Sequence, residues 1–128
     1  SYAGQREAVF AGWEAGMRAL ATCPNVTVKV GGFGMPFTGF AFHEQPDPPT
    51  SEQLAAAYRP YFDVCIDAFG AARCMFESNF PVDKESHSYA VYWNACKRLA
   101  QGASDTERAD LFRGTAARVY RLALPEGL

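Results

Sequence analysis

A short polar cluster follows an apolar run in the second half of the chain. Residues 74–76 read Cys-Met-Phe, and Glu77, Ser78 and Asn79 follow directly. The carboxylate of Glu77 can take up or release a proton, whereas the amide of Asn79 can only donate or accept hydrogen bonds. This pair is suited to an acid or base beside a group that orients water or substrate. Ser78 lies outside any Gly-x-Ser-x-Gly elbow, which argues against a serine nucleophile.

Two short segments have the composition of β-strands. In the first, Val26, Val28 and Val30 alternate with polar residues, and two glycines end the run at positions 31 and 32. This pattern is typical of a strand that opens into a loop. The second strand is expected over residues 73–78, so the polar cluster lies at its carboxyl end.

Two amphipathic helices are predicted around the first strand. Apolar residues at helical spacing indicate one helix over about residues 5–22 and another over about 51–69. Thr50 and Gln53 form a capping box at the start of the second helix. Pro60 removes one amide hydrogen bond inside this helix, so we expect a kink or a break into two short helices near Arg59.

Three further helices are predicted after the second strand. The first runs from about Tyr89 to Leu99, and Ser104 and Glu107 form a capping box ahead of the next. Thr115 is expected to cap the last helix. The resulting order of alternating strands and helices favours a parallel sheet with right-handed crossovers. Two strands are too few for an independent parallel sheet, so the chain is expected to form part of a larger one.

A long loop over residues 33–49 joins the first strand to the second helix. Loops of this length inside compact domains are uncommon and usually form lids or binding loops. It contains four phenylalanines, among them Phe37, together with Met35 and His43. Two interpretations remain open at this point, because these aromatic residues suit both a lid over a pocket and a cap on the end of the core.

The composition excludes several classes of partner. Among 128 residues, 12 basic and 14 acidic side chains give a net charge of -2, and no basic segment stands out. Binding to nucleic acid or to an anionic membrane is therefore not expected. No apolar run reaches the roughly 18 residues that cross a bilayer, and the N-terminus lacks a signal-peptide core, which predicts a cytoplasmic location. The chain begins without Met, so we also expect residues upstream of Ser1.

The four cysteines carry no pattern of a metal site or a disulfide framework. They lie in apolar periodic segments without C-x-x-C spacing and without a neighbouring histidine. We expect all four to be buried, reduced thiols. They are Cys23, Cys65, Cys74 and Cys96.

Three segments together resemble the C-terminal part of the amidohydrolase-related proteins. They are NVTVKVGG at 25–32, RCMFESNFP at 73–81 and LFRGTAARVYRL at 111–122. Proteins of this family are (β/α)8-barrel enzymes, often metal-dependent, and include lactone hydrolases and aromatic-acid decarboxylases. The resemblance implies an α/β fold in which the two strands are strands seven and eight of a TIM-like barrel. Residues 1–128 would then be the C-terminal part of a single barrel domain, incomplete in this chain, since a full barrel needs about 250 residues.

The resemblance also implies where the active site lies and what it lacks. Active sites of such barrels lie at the carboxyl ends of the strands, where Asn79 stands at a position that is usually an aspartate in the family. That aspartate binds metal or acts as the base, and an amide does neither well. The family's metal-binding histidines have no counterpart here. A divalent metal such as zinc is therefore expected at most in the parent enzyme, with no site completed by this chain.

Six residues follow as candidates for the site. Asn79 and Glu77 are the catalytic candidates, with Glu77 one layer deeper in the barrel and paired with Lys29 of the neighbouring strand. A buried ion bridge of structural role and a proton-transferring Glu77 both remain open for that pair. The substrate-binding candidates come from the loops at the same end, and they are Met35, Phe37, His43 and Phe80.

The remaining polar residues are expected at the surface. His87 lies at the catalytic end, but isolated histidines in polar loops are more often solvated than functional. Residues 83–85, Asp-Lys-Glu, are expected to form a solvated turn after Pro81. Arg118 and Arg121 are expected to be surface charges on the last helix.

Three functions remain in competition. The leading hypothesis is hydrolysis of a lactone or related carbonyl compound by activated water. The second is non-oxidative decarboxylation by a similar barrel, and the third is a catalytically silent fragment that associates with other chains. The expected partners are a small-molecule substrate and either further copies of the chain or the remainder of the barrel.

Overall fold

The computed structural model describes residues 4–125 and 127, so the expectation about residues upstream of Ser1 lies outside the described part. The described elements alternate between helix and strand and then end in helices. The last two helical pieces in the chain are joined without a break by a π-helical turn, Asp110–Gly114. The elements are α1 (Arg6–Ala21), β1 (Val28–Val30), α2 (Ser51–Phe69), β2 (Cys74–Phe76), α3 (Tyr89–Leu99), α4 (Asp105–Ala109) and α5 (Thr115–Tyr120).

The two strands are parallel neighbours, as the sequence predicted. Val28 pairs with Cys74, Lys29 with Met75 and Val30 with Phe76. Both strands are shorter than the predicted segments, 26–30 and 73–78, and each contains three residues. The amide of Glu77 still donates to the carbonyl of Val30 at 3.2 Å, so the polar cluster begins where the ladder ends.

Helix α2 forms the centre of the core. Its apolar face is buried at seven positions and packs against both strands, α1 and α3. The Thr50–Gln53 capping box is present at its start. Of the kink or break expected near Arg59, the break is wrong, because the helix is continuous from Ser51 to Phe69, and the kink stays a prediction. One lost amide bond is too small a defect to divide a helix whose two halves are buried on the same face.

The last helices cover the strands beside α2. The capping box of Ser104 and Glu107 is confirmed, and Leu111 of the π-helical turn is buried in the core. The expectation that Thr115 caps a helix is wrong. Its side chain is fully buried and donates a 3.0 Å hydrogen bond to the carbonyl of Ala71, because the helix already runs through this position. Arg118 is exposed at the surface, as expected, where it donates a 2.8 Å hydrogen bond to Asp110.

The loop over residues 33–49 packs partly on the core. Phe33, Phe40 and Phe42 lie against buried residues of the core, and Phe33 contacts Tyr58 at a ring-centroid distance of 5.3 Å. Phe37 points the other way and is 54% exposed. Three rings of the loop therefore cap the core, as one of the two interpretations expected, whereas a lid formed by the segment around Phe37 stays a prediction.

Three of the four cysteines are buried as expected. Burial raises the pKa of the thiol to about 11 for Cys65 and to about 12 for Cys74 and Cys96. Cys23 is exposed, so the prediction of four buried thiols is wrong at this position. Cys23 follows the end of α1, in a turn whose carbonyl groups accept hydrogen bonds from Arg73.

None of the described helices combines the length and the apolar character that a membrane-spanning helix needs.

Candidate functional site

An ion pair joins the two strands at their carboxyl ends. The ammonium of Lys29 lies 2.8 Å from Oε2 of Glu77, as expected from the alternation of side chains along β1 and β2. The hydrogen bond to Glu77 holds the pKa of Lys29 above its ordinary value. The expectation of a buried bridge does not hold within the described chain, where the Lys29 side chain is 53% exposed and that of Glu77 27%. The face that carries this pair is the one that α2 does not cover.

Gly31 allows the end of β1 to lie directly against Glu77. A Cβ atom at Gly31 would stand 2.3 Å from the carbonyl oxygen of Glu77 and 2.6 Å from its Cγ. Both distances are shorter than any real contact. The two glycines after β1 were read in the sequence only as a strand end, whereas at Gly31 the missing side chain is what lets the two strand ends meet.

Asn79 lies next to this contact in a left-handed backbone conformation. Its φ is +53°, a region that asparagine adopts more readily than most residues. The Nδ2 atom of Asn79 lies 3.8 Å from the position that a Cβ of Gly32 would occupy, and Oε1 of Glu77 lies 3.9 Å from the same point. The two catalytic candidates therefore flank one glycine at the end of β1.

The environment of Asp83 differs from the one predicted from the sequence. The residue was expected in a solvated turn, but its side chain is fully buried. Its Oδ1 accepts a 2.7 Å hydrogen bond from Nδ2 of Asn79, and its Oδ2 accepts a 3.1 Å bond from the amide of Gly34. Both oxygens of the buried carboxylate therefore have hydrogen-bond donors, one from the loop after each strand. The four-residue spacing from Asn79 was the one signal of this contact in the sequence.

His87 is also buried, contrary to the expectation of a solvated histidine. Its ring stacks on Tyr92 at a centroid distance of 5.3 Å and lies beside Tyr58. Burial lowers the pKa of His87, against the opposing charge of Asp83, whose Oδ2 is 4.0 Å from Nε2. Neither ring nitrogen has a hydrogen-bond partner among the described residues. The charged form of this histidine is therefore disfavoured, and the ring packs as a neutral side chain.

The predicted substrate-binding residues divide between two cavities. Met35 and Phe37 line a cavity of about 260 Å³, together with both glycines that follow β1 and aromatic residues of α1 and α2. This cavity reaches the glycines that Glu77 and Asn79 contact. His43 and Phe80 line a second cavity of about 390 Å³ beside the loop that carries Asp83 and His87. Only Met35 and Phe37 are thus brought next to the catalytic candidates.

The side chains present do not fit a metal ion. No group of three or more histidine, cysteine, aspartate or glutamate residues lies close enough together in the described part of the chain. Of the nearby carboxylates, Asp83 is occupied by Asn79 and Gly34, and Oε2 of Glu77 is occupied by Lys29. The amide of Asn79 turns its nitrogen, which is not a ligand, toward Asp83.

The position of these polar groups on the two strands indicates the class of fold and site. Two parallel strands, joined by a crossover through α2, carry a carboxylate, an ammonium and an amide at their carboxyl ends. Polar groups at that edge, beside an apolar cavity formed by the strand-end loops, are the layout of an α/β-barrel enzyme site. The groups can transfer a proton and can hold a water molecule or a carbonyl group.

Comparison with known proteins agrees with that class. The sequence model of the family described as amidohydrolase matches residues 2–122. The chain therefore belongs to the amidohydrolase family, as the three sequence segments predicted.

Two curated relatives are much longer than this chain. A protein of Sinorhizobium fredii named as the uncharacterized protein y4mH is 43% identical over 113 residues, which are 88% of this chain and 34% of the relative. The L-fucono-1,5-lactonase of Burkholderia multivorans is 35% identical over 121 residues, 94% of this chain and 38% of the lactonase. The chain thus spans about a third of the length of these relatives.

Two solved structures share the fold. Both are crystal structures of an amidohydrolase from Burkholderia multivorans, one with bound zinc and one with bound HEPES. The first superposes with a TM-score of 0.75 and 31% identity over 89% of this chain and 38% of the solved chain. The second gives a TM-score of 0.79 and 30% identity over 94% and 40%. The chain is an α/β piece that covers the C-terminal part of an amidohydrolase barrel, as predicted.

Proposed function

We propose that the protein carrying this chain hydrolyses a lactone or a related cyclic carbonyl compound. Residues 1–128 are then the C-terminal part of its single barrel domain. The observation that carries the proposal is the meeting of Glu77, Lys29 and Asn79 at the carboxyl ends of two parallel strands of an amidohydrolase barrel. The 35% identity to a lactonase supports the choice of substrate class.

Glu77 and Asn79 have separate tasks in this reaction. Glu77 takes a proton from water as the water oxygen attacks the carbonyl carbon, and it returns a proton to the ring oxygen when the carbon–oxygen bond breaks. Lys29 holds Oε2 of Glu77 at 2.8 Å, which leaves Oε1 for this transfer. Asn79 orients the water or the substrate through its amide. The product is the open hydroxy acid.

The loops at the strand ends form the substrate pocket in this proposal. Met35 and Phe37 provide the apolar wall next to the glycines after β1, and His43 and Phe80 contact the more distant part of the substrate. The remaining walls come from the rest of the barrel, which pairs with the free edges of β1 and β2. Whether that remainder is another part of the same polypeptide or a separate chain does not change the roles above.

The experiment is a hydrolysis assay on the protein that carries this chain. We expect a panel of sugar 1,5-lactones, followed by acid release with a pH indicator, to contain a substrate. Replacement of Glu77 by Gln should lower kcat by roughly a hundredfold to ten-thousandfold, the usual contribution of a positioned acid or base. The matched control is Glu14→Gln, which removes a partly exposed carboxylate that pairs with Arg18 on α1.

Three results would count against the proposal. Release of carbon dioxide from an aromatic or enol acid, with no lactone hydrolysed, would assign the protein to decarboxylation instead. No turnover of either substrate class would favour a catalytically silent protein. An E77Q variant as active as E14Q would remove Glu77 from the mechanism.

A further inference from the structure

A buried carboxylate without a cationic partner stands behind the candidate site. Asp83 has no exposed surface, and its two oxygens accept hydrogen bonds from Asn79 and from the backbone of Gly34. The groups that face it are His87, whose charged form burial disfavours, and the hydroxyl of Tyr58. Burial of a carboxylate is costly unless its oxygens are satisfied, so a residue held in this way has a specific task in the structure.

The carboxylate determines which way the amide of Asn79 is turned. An ionised carboxylate only accepts hydrogen bonds, so the atom of Asn79 that lies 2.7 Å away must be the nitrogen. The amide oxygen, Oδ1, then points away from Asp83, and it accepts no hydrogen bond from the described residues. Since Asp83 is buried and Asn79 is partly exposed, this oxygen lies on the open side of the pair.

We propose that Asp83 is a positioning residue of the hydrolytic site, which fixes the Asn79 amide so that Oδ1 is offered to water or substrate. The inference rests on the proposed function and deepens it. Asp83 itself touches neither substrate nor reacting atoms. It also ties the loop after β1 to the loop after β2, because its second oxygen holds Gly34 and a Cβ at Gly34 would lie 2.8 Å from Asp83 Cγ.

The same contact explains why an amide occupies position 79. An aspartate there would bring two carboxylate oxygens to within about 2.7 Å, the distance of the present hydrogen bond. Like charges that close cannot both be ionised without a cation between them, so one carboxyl must stay protonated. An amide at 79 together with a carboxylate at 83 avoids this conflict and keeps an oxygen acceptor at the strand end.

We therefore expect the hydrogen bond between positions 79 and 83 to survive when Asn and Asp are exchanged together, but not when only one of them is replaced. In a protein with Asn79→Asp and Asp83→Asn together, the amide nitrogen at 83 donates to the carboxylate at 79, and the amide oxygen at 83 accepts from Gly34. In Asp83→Asn alone, one oxygen must serve two donors, and the Asn79 amide is free to turn over. Asparagine and aspartate both tolerate the positive φ at 79, so the exchange adds no backbone strain there.

The first measurement is thermal unfolding of N79D, D83N and the double variant. We expect each single change to lower the unfolding midpoint by several degrees and the exchange to restore most of the loss, a clear departure from additivity. D47N, at an exposed position of the long loop, is the control for loss of a carboxylate. If the unfolding midpoint of the double variant falls by the sum of the two single decreases, the proposed contact between positions 79 and 83 is wrong. This measurement needs no substrate.

The pH dependence of N79D gives a second signature. In that variant the folded state raises the pKa of one of the two facing carboxyl groups above its unfolded value. Relative to the wild type, its stability should therefore be highest at low pH and should fall as the pH rises through that raised pKa. The double variant and D47N should not show this loss. An N79D profile that parallels the D47N profile would contradict the contact between the two side chains.

The positioning role is tested by lactone hydrolysis. We expect D83N to lower kcat roughly tenfold to a hundredfold, the effect of a misplaced group, with KM changed by less than about threefold. The exchanged variant again offers an oxygen from position 79 and should recover at least tenfold of that loss. If the exchanged variant recovers its stability but keeps the low kcat of D83N, Asp83 is not a positioning residue. The proposed hydrolysis itself would still stand, as long as the wild type is active. A wild type inactive on every lactone would instead reject the proposed function.

Discussion

At the scale of single residues, the site depends on how closely two strand ends approach each other. The backbone of Gly31 lies against both the carbonyl and the side chain of Glu77, and Lys29 holds that side chain from the other strand. Glu77 is thereby placed by contacts on both sides. A side chain at position 31 would have to displace the residue that we propose as the acid and base.

A methyl group at Gly31 tests this close packing. We expect Gly31→Ala to destabilise the protein by about 1–3 kcal/mol, the usual cost of overpacking, because its Cβ would lie 2.3 Å from a backbone oxygen that cannot turn away. Urea denaturation measures the change in the free energy of unfolding. Gly16→Ala in α1 is the control, since nothing lies within 4 Å of its Cβ. It should stabilise the protein by about 0.5–1 kcal/mol, and equal behaviour of the two variants would contradict the prediction.

The residue-scale predictions were correct where the alternation of side chains along a strand decides the outcome. The Lys29–Glu77 pair followed from alternation along two strands and is present at 2.8 Å. The burial of Asp83 and His87 did not follow from their polar local sequence. It depends on residues 34 and 58, which lie far away in the chain, and on Tyr92 in the first turn of α3, so local composition predicted the wrong environment.

At the scale of elements, Arg73 connects the ends of two helices and a turn at the amino end of β2, away from the candidate site. Its guanidinium donates to the carbonyl groups of Ala21, Cys23, Val26 and Phe69 at distances of 3.0–3.3 Å. These carbonyl groups belong to the ends of α1 and α2 and to the turn before β1. A positive charge at two helix C-termini is also favourable for the helix dipoles.

Loss of this guanidinium should loosen the whole junction. We expect Arg73→Gln to lower the free energy of unfolding by about 2–3 kcal/mol, since several hydrogen bonds from one charged donor are lost together. Arg59→Gln is the matched control, because Arg59 is exposed on α2 and has only a long 3.5 Å contact with one carbonyl group and a 3.9 Å exposed ion pair with Asp63. Denaturant titration of both variants compares them directly. Equal stabilities would show that Arg73 is dispensable for the junction.

The elements themselves were largely predictable. Helix boundaries followed from capping boxes at Thr50 and Ser104, which are local hydrogen-bond patterns. The errors arose where packing outweighs local preference. Pro60 does not break α2, and Thr115 is held inside a continuous helical segment by the distant carbonyl of Ala71.

At the scale of the whole molecule, the chain has an incomplete sheet. In the described part, each strand has one neighbour, and the outer edges of both are unpaired. Unpaired parallel edges are not stable in water and favour association. Lys29 and Glu77 lie on the face of the sheet opposite to α2, which the rest of an amidohydrolase barrel covers in our proposal.

We therefore expect the isolated chain of 14.0 kDa not to be a compact monomer. Sedimentation velocity over a range of concentrations should show association or aggregation. Adding the remainder of the barrel as a separate polypeptide should convert this material to a defined complex. A well-folded monomer of 14.0 kDa with a single cooperative unfolding transition would contradict the prediction and, with it, the need for further strands.

The sequence by itself determined the family, the parallel arrangement and the polar strand ends, because these depend on short-range periodicity, on capping patterns and on the spacing of Glu77 and Asn79. Only the tertiary structure decided what those side chains meet. It placed Asp83 behind Asn79, set Gly31 against Glu77 and divided the predicted substrate-binding residues between two cavities. The physical reason is that burial and hydrogen-bond partners are set by contacts between distant parts of the chain, and a single sequence carries no direct record of them.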